Sequence, residues 1–304
     1  MAPSSLAPTA QTLEVPGARL YYEVRGTGPL VVLVGAPMDA RPFGPLAELL
    51  AGDYTVLTTD PRGINRSPVD DPGQDSTPEM RADDLSRLVA CVDAGPAIVF
   101  GSSGGAVSAL ALVQAHPEQV HGVVAHEPPL IELLPDRAER HAGSEVVIAR
   151  WLAGDYAGSW RAFLENADIQ LPEGVFEAVF GGEPDAQAIA DTTYQNTHML
   201  RPTTQWRPDI AVLRSAAAQV VVGVGEGSAG QVCDRTSRAL AAELGIEPTM
   251  FPGGHTGFAE DPSGFAERLR PVLPGGLGGL GGLGGASAVG DRDRVDLDQV
   301  PGSG

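Results

Sequence analysis

The feature that most constrains this chain is a serine flanked by glycines between a predicted strand and a predicted helix. The apolar run 97–100 is followed by GSSGG (101–105) and then by the amphipathic run AVSALALVQAH. The spacing fits G-x-S-x-G on Ser103, because a side chain at either glycine would collide with the neighbouring strand or helix. Ser102 fails this spacing, since Phe100 would then fill the first small position. The pattern predicts that Ser103 sits on a tight, strained turn with its hydroxyl clear of the sheet.

Composition and charge limit the partners that this chain can have. It has 304 residues, 42% of them hydrophobic, which is enough for one large domain with a sizeable core. Its 39 acidic residues outnumber 20 basic ones, all of them Arg, and the net charge is −19. This acidic field, with no cluster of Arg to oppose it, argues against nucleic acid as a partner.

The cysteines and the N-terminal residues bear on the compartment. Cys91 and Cys233 are too few for a disulfide framework or for a metal site of their own, so they indicate thiols in a reducing compartment. The N-terminal residues lack the charged start and apolar core of a signal peptide, and no run of about 18 apolar residues follows. We expect a soluble, cytoplasmic protein with no membrane partner and no metal.

Short β-branched runs alternate with segments of helical period over most of the chain. This pattern is typical of an α/β fold, in which helices cover a mostly parallel sheet. The predicted strands are 19–24, 30–34, 54–58, 97–100, 120–126, 220–224 and 247–251. The predicted helices are 43–50, 78–94, 104–116, 234–244 and 262–272. The strands near 54, 97 and 120 are apolar throughout, as expected for strands buried on both faces.

The segment 130–217 interrupts this alternation. It contains helical pieces at 144–152, 159–165 and 185–193 and holds all 3 tryptophans. A helical insertion in a parallel sheet predicts a lid over an active site, and a second packing layer without a gating role is the alternative. The core then comprises 1–129 and 218–273, and the Gly-rich residues 274–304 are predicted to form a flexible tail.

Three further segments, together with GSSGG, resemble the α/β-hydrolase fold family over roughly 13–272. The run DPRG at 60–63, with Ser67 after it, is similar to the family's D-x-R-G-x-x-x-S turn. GGH at 253–255 is similar to the family's late segment around a catalytic histidine. VVLVGAP at 31–37 is similar to the strand that enters the oxyanion loop, with Val34 in place of the usual histidine.

The resemblance implies both an architecture and a set of catalytic groups. The architecture is an eight-stranded, mostly parallel sheet flanked by helices, with a helical lid. Ser103 would be the nucleophile and His255 its base. The backbone N–H groups of Gly104, at a helix N-terminus, and of Ala36 would form the oxyanion hole, since Pro37 has no N–H to offer.

The carboxylate partner of His255 is the point at which the chain departs from the commonest family pattern. Ser228 occupies the expected Asp position, Glu226 lies close to it, and Asp234 falls in the following predicted helix. The family's second location for the acid is the end of the strand after the nucleophile's helix, where this chain has Glu127. Because catalytic groups of open parallel sheets gather at the carboxyl ends of strands, Glu127 is the favoured acid, with Glu226 and Asp234 as alternatives.

A serine with a histidine and a carboxylate implies acyl transfer without a cofactor. We expect the substrate to be a small molecule, a small or medium carboxylic ester or lactone, cleaved through an acyl-enzyme on Ser103. A carbon–carbon bond hydrolase of the same fold and a non-hydrolytic ligand-binding relative are the alternatives. The sequence does not indicate the oligomeric state. Candidate substrate-binding residues late in the insertion, for which simple packing is the alternative, are Tyr194, His198, Met199 and Trp206.

Overall fold

Eight strands form one sheet in the computed structural model of the chain, which describes residues 7–216 and 219–273. In chain order they are β1 (Thr9–Val15), β2 (Ala18–Arg25), β3 (Leu30–Val34), β4 (Thr55–Thr59), β5 (Ala97–Ser102), β6 (Val120–His126), β7 (Gln219–Gly225) and β8 (Thr249–Phe251). Their order across the sheet is β1-β2-β4-β3-β5-β6-β7-β8. β2 is antiparallel to both of its neighbours, and the remaining pairs are parallel. The predicted eight-stranded, mostly parallel sheet is confirmed.

β1 is not among the strands that the hydrophobic pattern predicts. It lies at one edge of the sheet, hydrogen-bonded only to β2, with Leu13 opposite Leu20. Val15 is its one buried residue, and most of the others are exposed. A strand at the edge of a sheet has little side-chain burial to impose an apolar pattern, so its sequence carries a weak signal.

The helices are α1 (Gly44–Leu50), α2 (Pro78–Val92), α3 (Gly104–Ala115), α4 (Arg137–Leu152), α5 (Tyr156–Asn166), α6 (Val175–Phe180), α7 (Ala186–Tyr194), α8 (Leu200–Thr204), α9 (Ile210–Ser215), α10 (Val232–Leu244), α11 (Gly257–Glu260) and α12 (Pro262–Leu269). A π-helical turn, Gln195–Met199, joins α7 to α8. Short 3₁₀ turns occupy Arg41–Phe43, Pro117–Gln119, Ile131–Leu133, Glu226–Ser228 and Arg270–Val272. None of the helices in the described parts of the chain is both long enough and apolar enough to cross a membrane.

Helices cover both faces of the sheet. Along β3, Leu30 and Val32 belong to the core cluster that contains α2, α3 and α10 side chains, whereas Val31 and Leu33 belong to the cluster with α1, α11 and α12. Neighbouring side chains of a strand point to opposite faces, so a strand covered on both faces must be apolar throughout. This arrangement explains the continuous apolar runs that the central strands show in the sequence.

The segment between β6 and β7 is helical and contains α4 to α9. α4 begins at Arg137, earlier than the predicted 144, because its first turns carry polar, largely exposed side chains that give no apolar stripe. The predicted end of this insertion, at 217, and the predicted tail, at 274–304, lie outside the described residues. The gating role of the insertion stays a prediction.

The last residue of β6, His126, is fully buried. Its ring lies between 5.5 and 6.4 Å, centroid to centroid, from the rings of Phe100, Phe251, Phe258 and Phe265. Its Nε2 has no hydrogen-bond partner among the described residues. Burial in these aromatic surroundings disfavours the charged imidazolium and lowers the pKa of His126 to about 4.

This lowered pKa predicts an acid-sensitive stability. As pH falls from 6.5, the ordinary value, towards about 4, His126 becomes protonated in the unfolded chain but stays neutral in the folded one. Protonation therefore stabilises the unfolded state, and His126 should contribute a fall of about 2–3 kcal/mol to the free energy of unfolding over that window. Urea denaturation near pH 7 and near pH 4.5 measures the change. His126→Leu should remove most of it, and a variant with the same pH dependence as the parent would contradict this assignment.

Candidate active site

Ser103 occupies the turn between β5 and α3 in strained backbone geometry. Its φ is 57° and its ψ is −128°, a conformation that L-residues rarely adopt. Both flanking positions require glycine because of close contacts. A Cβ added to Gly101 would lie 2.4 Å from the carbonyl oxygen of Gly105, and a Cβ added to Gly105 would lie 2.2 Å from the carbonyl oxygen of Val34. The Ser103 N–H donates to the His126 carbonyl at 2.9 Å, which extends the β5–β6 pairing into the turn.

The two adjacent serines have different environments. Ser102 is fully buried at the end of β5, with its Oγ 3.4 Å from Nδ1 of His126. Ser103 is partly exposed and lines a cavity between the sheet and the inserted helices. The structure thus places the Ser103 side chain, and not that of Ser102, where a small molecule can reach it.

Glu127 follows β6 directly and is fully buried. Its φ of 52° turns the chain sharply at the strand end. Oε1 accepts a hydrogen bond from the Gly225 N–H at 2.8 Å, and Oε2 lies 2.6 Å from Nδ1 of His255. Burial alone would raise the pKa of Glu127, but the hydrogen bond and the charge of His255 outweigh it and bring the pKa to about 2. The carboxylate is therefore ionised at neutral pH.

His255 lies on the loop after β8, and its side chain, 29% exposed, lines the same cavity as Ser103. Burial opposes a charge on this ring, while the nearby Cys233 sulfur and the Glu127 carboxylate favour it, and together they raise the pKa of His255 above its ordinary value. A carboxylate on Nδ1 fixes the tautomer that leaves Nε2 free to accept a proton. No hydrogen bond joins Ser103 and His255 in the described structure; such contacts are commonly long outside the reacting complex.

The alternative acids do not contact His255. Glu226 lies in an exposed 3₁₀ turn after β7. Asp234, on α10, accepts a hydrogen bond from the Gly230 N–H at 2.9 Å and pairs with Arg238 at 2.6 Å. Of the three carboxylates considered in the sequence, Glu127 is the one that the structure brings to the histidine. Its role in catalysis stays a prediction.

Gly104, directly after Ser103, and Ala36, after β3, carry the two backbone N–H groups predicted to form the oxyanion hole. Gly104 and Ala36 line the same cavity and approach closely, since a Cβ added to Gly104 would lie 2.4 Å from the Ala36 carbonyl oxygen. Neither N–H donates to any of the described residues. An unpaired N–H at the N-terminus of a helix, as at Gly104, and one on the neighbouring loop, as at Ala36, are suited to hold an oxyanion.

The cavity and its open mouth together contain about 950 Å³ of space free of protein atoms. Its wall is mostly apolar, and the described residues that line it include no Asp, Glu, Lys or Arg. The sheet side supplies Ser103 and His255. The inserted helices and their neighbours supply, among others, Val147, Phe163, Ile169, Met199, Leu200 and Thr203. An uncharged, largely apolar molecule is the ligand that such a wall accommodates.

The structure places three of the candidate substrate-binding residues outside the cavity lining. Tyr194, His198 and Trp206 do not line this cavity. Tyr194 is buried, and its hydroxyl donates to the Gln74 carbonyl. Trp206 is buried in the core, where its Nε1 donates to Glu79 at 2.7 Å. His198 lies 3.1 Å from Asp75. The Tyr194 hydroxyl, Trp206 Nε1 and His198 Nδ1 have partners within the protein, which favours the packing alternative for these residues.

Met199 lines the cavity, together with residues that the sequence does not mark as candidates for substrate binding. Gln195, Met199 and Thr203 recur every four residues through the π-helical turn and α8. This spacing is typical of one helix face and is a signal that a helical-period search can detect. Cys233, at the start of α10, also lines the cavity. A free cysteine carries no sequence pattern that predicts this position.

Glu127, Cys233 and His255 are also the one group in the described residues whose donor atoms are close enough to hold a metal ion, within 4.8 Å of one another. The 2.6 Å separation between Glu127 Oε2 and His255 Nδ1 is that of a charge-assisted hydrogen bond, in which a proton lies between the two atoms. The arrangement therefore fits proton transfer better than metal binding.

The chain is similar to hydrolases along most of its length. A model of the alpha/beta hydrolase family matches residues 30–268. The uncharacterized hydrolase YraK of Bacillus subtilis (strain 168) is 35% identical over 264 residues, covering 86% of this chain and 95% of that protein. A zearalenone hydrolase of Bionectria ochroleuca is 25% identical over 281 residues, covering 85% of this chain and 96% of that protein.

The architecture recurs in solved structures. One of them, Est816, described as an N-acyl homoserine lactone degrading enzyme, superposes with a TM-score of 0.64 at 23% identity. The match covers 86% of this chain and 100% of that one. At this identity the likeness shows the fold alone.

Glu127→Gln tests the role predicted for this carboxylate. The amide keeps the shape but removes the charge that favours the imidazolium, so kcat should fall by roughly two to four orders of magnitude. The pKa of His255 should fall too. Because the neutral ring is the base, the acidic limb of kcat/KM should move to lower pH by about one to three units. Glu226→Gln, an exposed control, should cost less than about tenfold and leave the limb in place. Equal effects of the two variants would exclude the role.

Proposed function

Because this chain belongs to the alpha/beta hydrolase family, we propose that it is a serine hydrolase that cleaves a small or medium carboxylic ester or lactone. Ser103, His255 and Glu127 would form its catalytic triad. The observation that carries the proposal is the 2.6 Å contact between Glu127 and His255 beside a cavity that Ser103 also lines. A buried, ionised carboxylate on one ring nitrogen prepares the other nitrogen to act as a base at that cavity.

The proposed reaction has two steps. In the first, His255 Nε2 takes the proton of Ser103, Oγ attacks the carbonyl carbon, and the Ala36 and Gly104 N–H groups stabilise the resulting oxyanion. His255 returns the proton to the leaving alkoxide, and an alcohol departs, or stays tethered in a lactone. In the second step, His255 removes a proton from water, which attacks the acyl-enzyme. The carboxylic acid leaves, and Ser103 is protonated again.

The lining of the cavity favours an uncharged substrate. Its described lining has no fixed charge apart from what His255 can carry, so a carboxylate or ammonium group inside it would lose hydration without gaining an ion pair. The names of a zearalenone hydrolase and of an N-acyl homoserine lactone degrading enzyme among the similar proteins favour an ester or lactone.

We further propose that the insertion 130–217 acts as a lid on the core formed by 1–129 and 218–273. The support is the position of its helices: α4, α5, the π-helical turn and α8 all contribute residues to the cavity wall opposite Ser103. A substrate then enters between these helices and the carboxyl ends of the strands.

Labelling with a fluorophosphonate, followed by mass spectrometry of the peptides, tests the nucleophile. The reagent should modify Ser103, and hydrolysis of p-nitrophenyl acetate should disappear with it. Ser103→Ala should lose the label and at least about three orders of magnitude in kcat, because the nucleophile is gone. Ser102→Ala, the adjacent buried control, should keep both. A label on Ser102, or ester turnover without any labelled serine, would rule out the proposed chemistry.

Hydrogen exchange tests the lid. Acylation of Ser103 by the same reagent fills the cavity and should slow exchange in α4, α5 and the stretch from the π-helical turn through α8, since their backbone lies next to the wall. α2 and β1, which contribute nothing to the cavity, are the internal control. Unchanged exchange in the insertion, with protection confined to loops of the core, would remove the gating role.

A further inference from the structure

Arg81, on α2, is a buried guanidinium without an ion pair among the described residues. Its side chain is held by neutral groups. Nε donates to Ser108 Oγ at 2.8 Å, Nη2 donates to Thr203 Oγ1 at 2.8 Å, and Nη1 donates to the Ser76 carbonyl. A buried charge is normally paired with an opposite one, so an arginine compensated by hydroxyls and a carbonyl is unusual.

The closest candidate for a counterion is already engaged. Asp84, one turn along α2, receives two hydrogen bonds from Arg62, both at 2.6 Å. Burial lowers the pKa of Arg81 to about 10, which still leaves the guanidinium charged at neutral pH. The positive potential of Arg81 is therefore not cancelled at short range and acts on the hydroxyls that it contacts.

One of these hydroxyls belongs to a residue that lines the cavity. Thr203, on α8, lines the cavity and is 5% exposed. Its Oγ1 accepts from Arg81, and its own proton has no acceptor among the described residues. The adjacent Thr204 also lines the cavity, but its hydroxyl donates to the Leu200 carbonyl at 2.9 Å. Of the two threonines, Thr203 alone keeps a free donor.

The second contact of Arg81 ties this threonine to the Ser103 turn. Ser108 Oγ, which accepts from Arg81, donates in turn to the Gly104 carbonyl at 2.9 Å. Arg81 thus connects the first turn of α3, which follows the nucleophile candidate, with α8 of the insertion. The Thr203 hydroxyl is held at a fixed place relative to Ser103 by this connection.

We propose that the Thr203 hydroxyl is a specificity-determining donor that binds a second, neutral carbonyl oxygen of the substrate, away from the carbonyl that is cleaved. This inference rests on the proposed ester or lactone hydrolysis and names the substrate class more closely. A hydrogen bond accepted from a guanidinium polarises the O–H bond and strengthens it as a donor. The acceptor is neutral because the protein carries a net charge of −19 and the described cavity lining has no Arg or Lys that could pair directly with an anion.

The test compares matched esters. p-Nitrophenyl esters carry a ketone at successive positions of the acyl chain, and alkyl esters carry it at successive positions of the alcohol part. Each is paired with the ester that has a methylene in its place. The parent protein should cleave at least one ketone ester with a kcat/KM about tenfold or more above that of its partner. The difference should appear in KM, because a contact remote from the reacting carbonyl is made equally in the ground state and the transition state.

Thr203→Val should abolish this preference, since valine keeps the shape and loses the donor. Thr203→Ser should retain it, and Thr204→Val, the matched neighbour, should retain it as well. A wall that is merely distorted would change both members of each ester pair alike.

The outcomes separate the two proposals. Equal cleavage of every pair by the parent, or a preference that survives Thr203→Val, would overturn the role of Thr203 and leave the serine hydrolase proposal standing. Absence of ester cleavage together with absence of fluorophosphonate labelling would overturn both.

Discussion

At the ends of β5 and β6, Ser102 pairs with His126, and the Ser103 N–H donates to the His126 carbonyl at 2.9 Å. This register places Ser103 and Glu127 on neighbouring strands at the same edge of the sheet. The Glu127 N–H in turn donates to the Gly223 carbonyl of β7 at 3.0 Å, so the acid is fixed by backbone pairing on its other side. Both residues have positive φ, and the chain leaves the sheet abruptly at each. A slip of one residue would turn either side chain into the core.

Two adjacent titratable groups at the end of β6 lie in different environments. His126 points into a cluster of phenylalanines, where its pKa falls to about 4 and it stays neutral. Glu127 meets the Gly225 N–H and His255, which together compensate its charge in a fully buried position. The two residues are adjacent, and the chain leaves the strand at the positive φ of Glu127. The strand end thus holds an ionised acid without exposing it to water.

The sequence predicts the parts of the site that local geometry determines. Ser103 could be located because a strand, two obligatory glycines and a helix leave one conformation for the turn, and Glu127 because catalytic groups gather at strand ends. Tyr194, His198 and Trp206, the candidate substrate-binding residues, lie outside the described cavity lining. The direction of a side chain on the inserted helices depends on tertiary packing and on a π-helical turn that shifts the helix face, and the sequence pattern does not supply either. The hydrophobic pattern does not predict β1 either, because an exposed strand at the edge of the sheet shows no regular spacing of apolar residues.

Charge is distributed so that the cavity differs from the rest of the protein. The chain carries a net charge of −19, yet the described cavity lining includes no carboxylate. Two buried ions, Glu127 and Arg81, contact residues of the lining: Glu127 contacts His255, and Arg81 donates to Thr203. A neutral ester enters such a space by losing little hydration. The proposed hydrolysis converts it to a carboxylate, which finds no Arg or Lys in the described lining to pair with and lies within a protein of strongly negative net charge. The same electrostatics that admit the neutral substrate therefore disfavour retention of the anionic product and favour its release from the cavity.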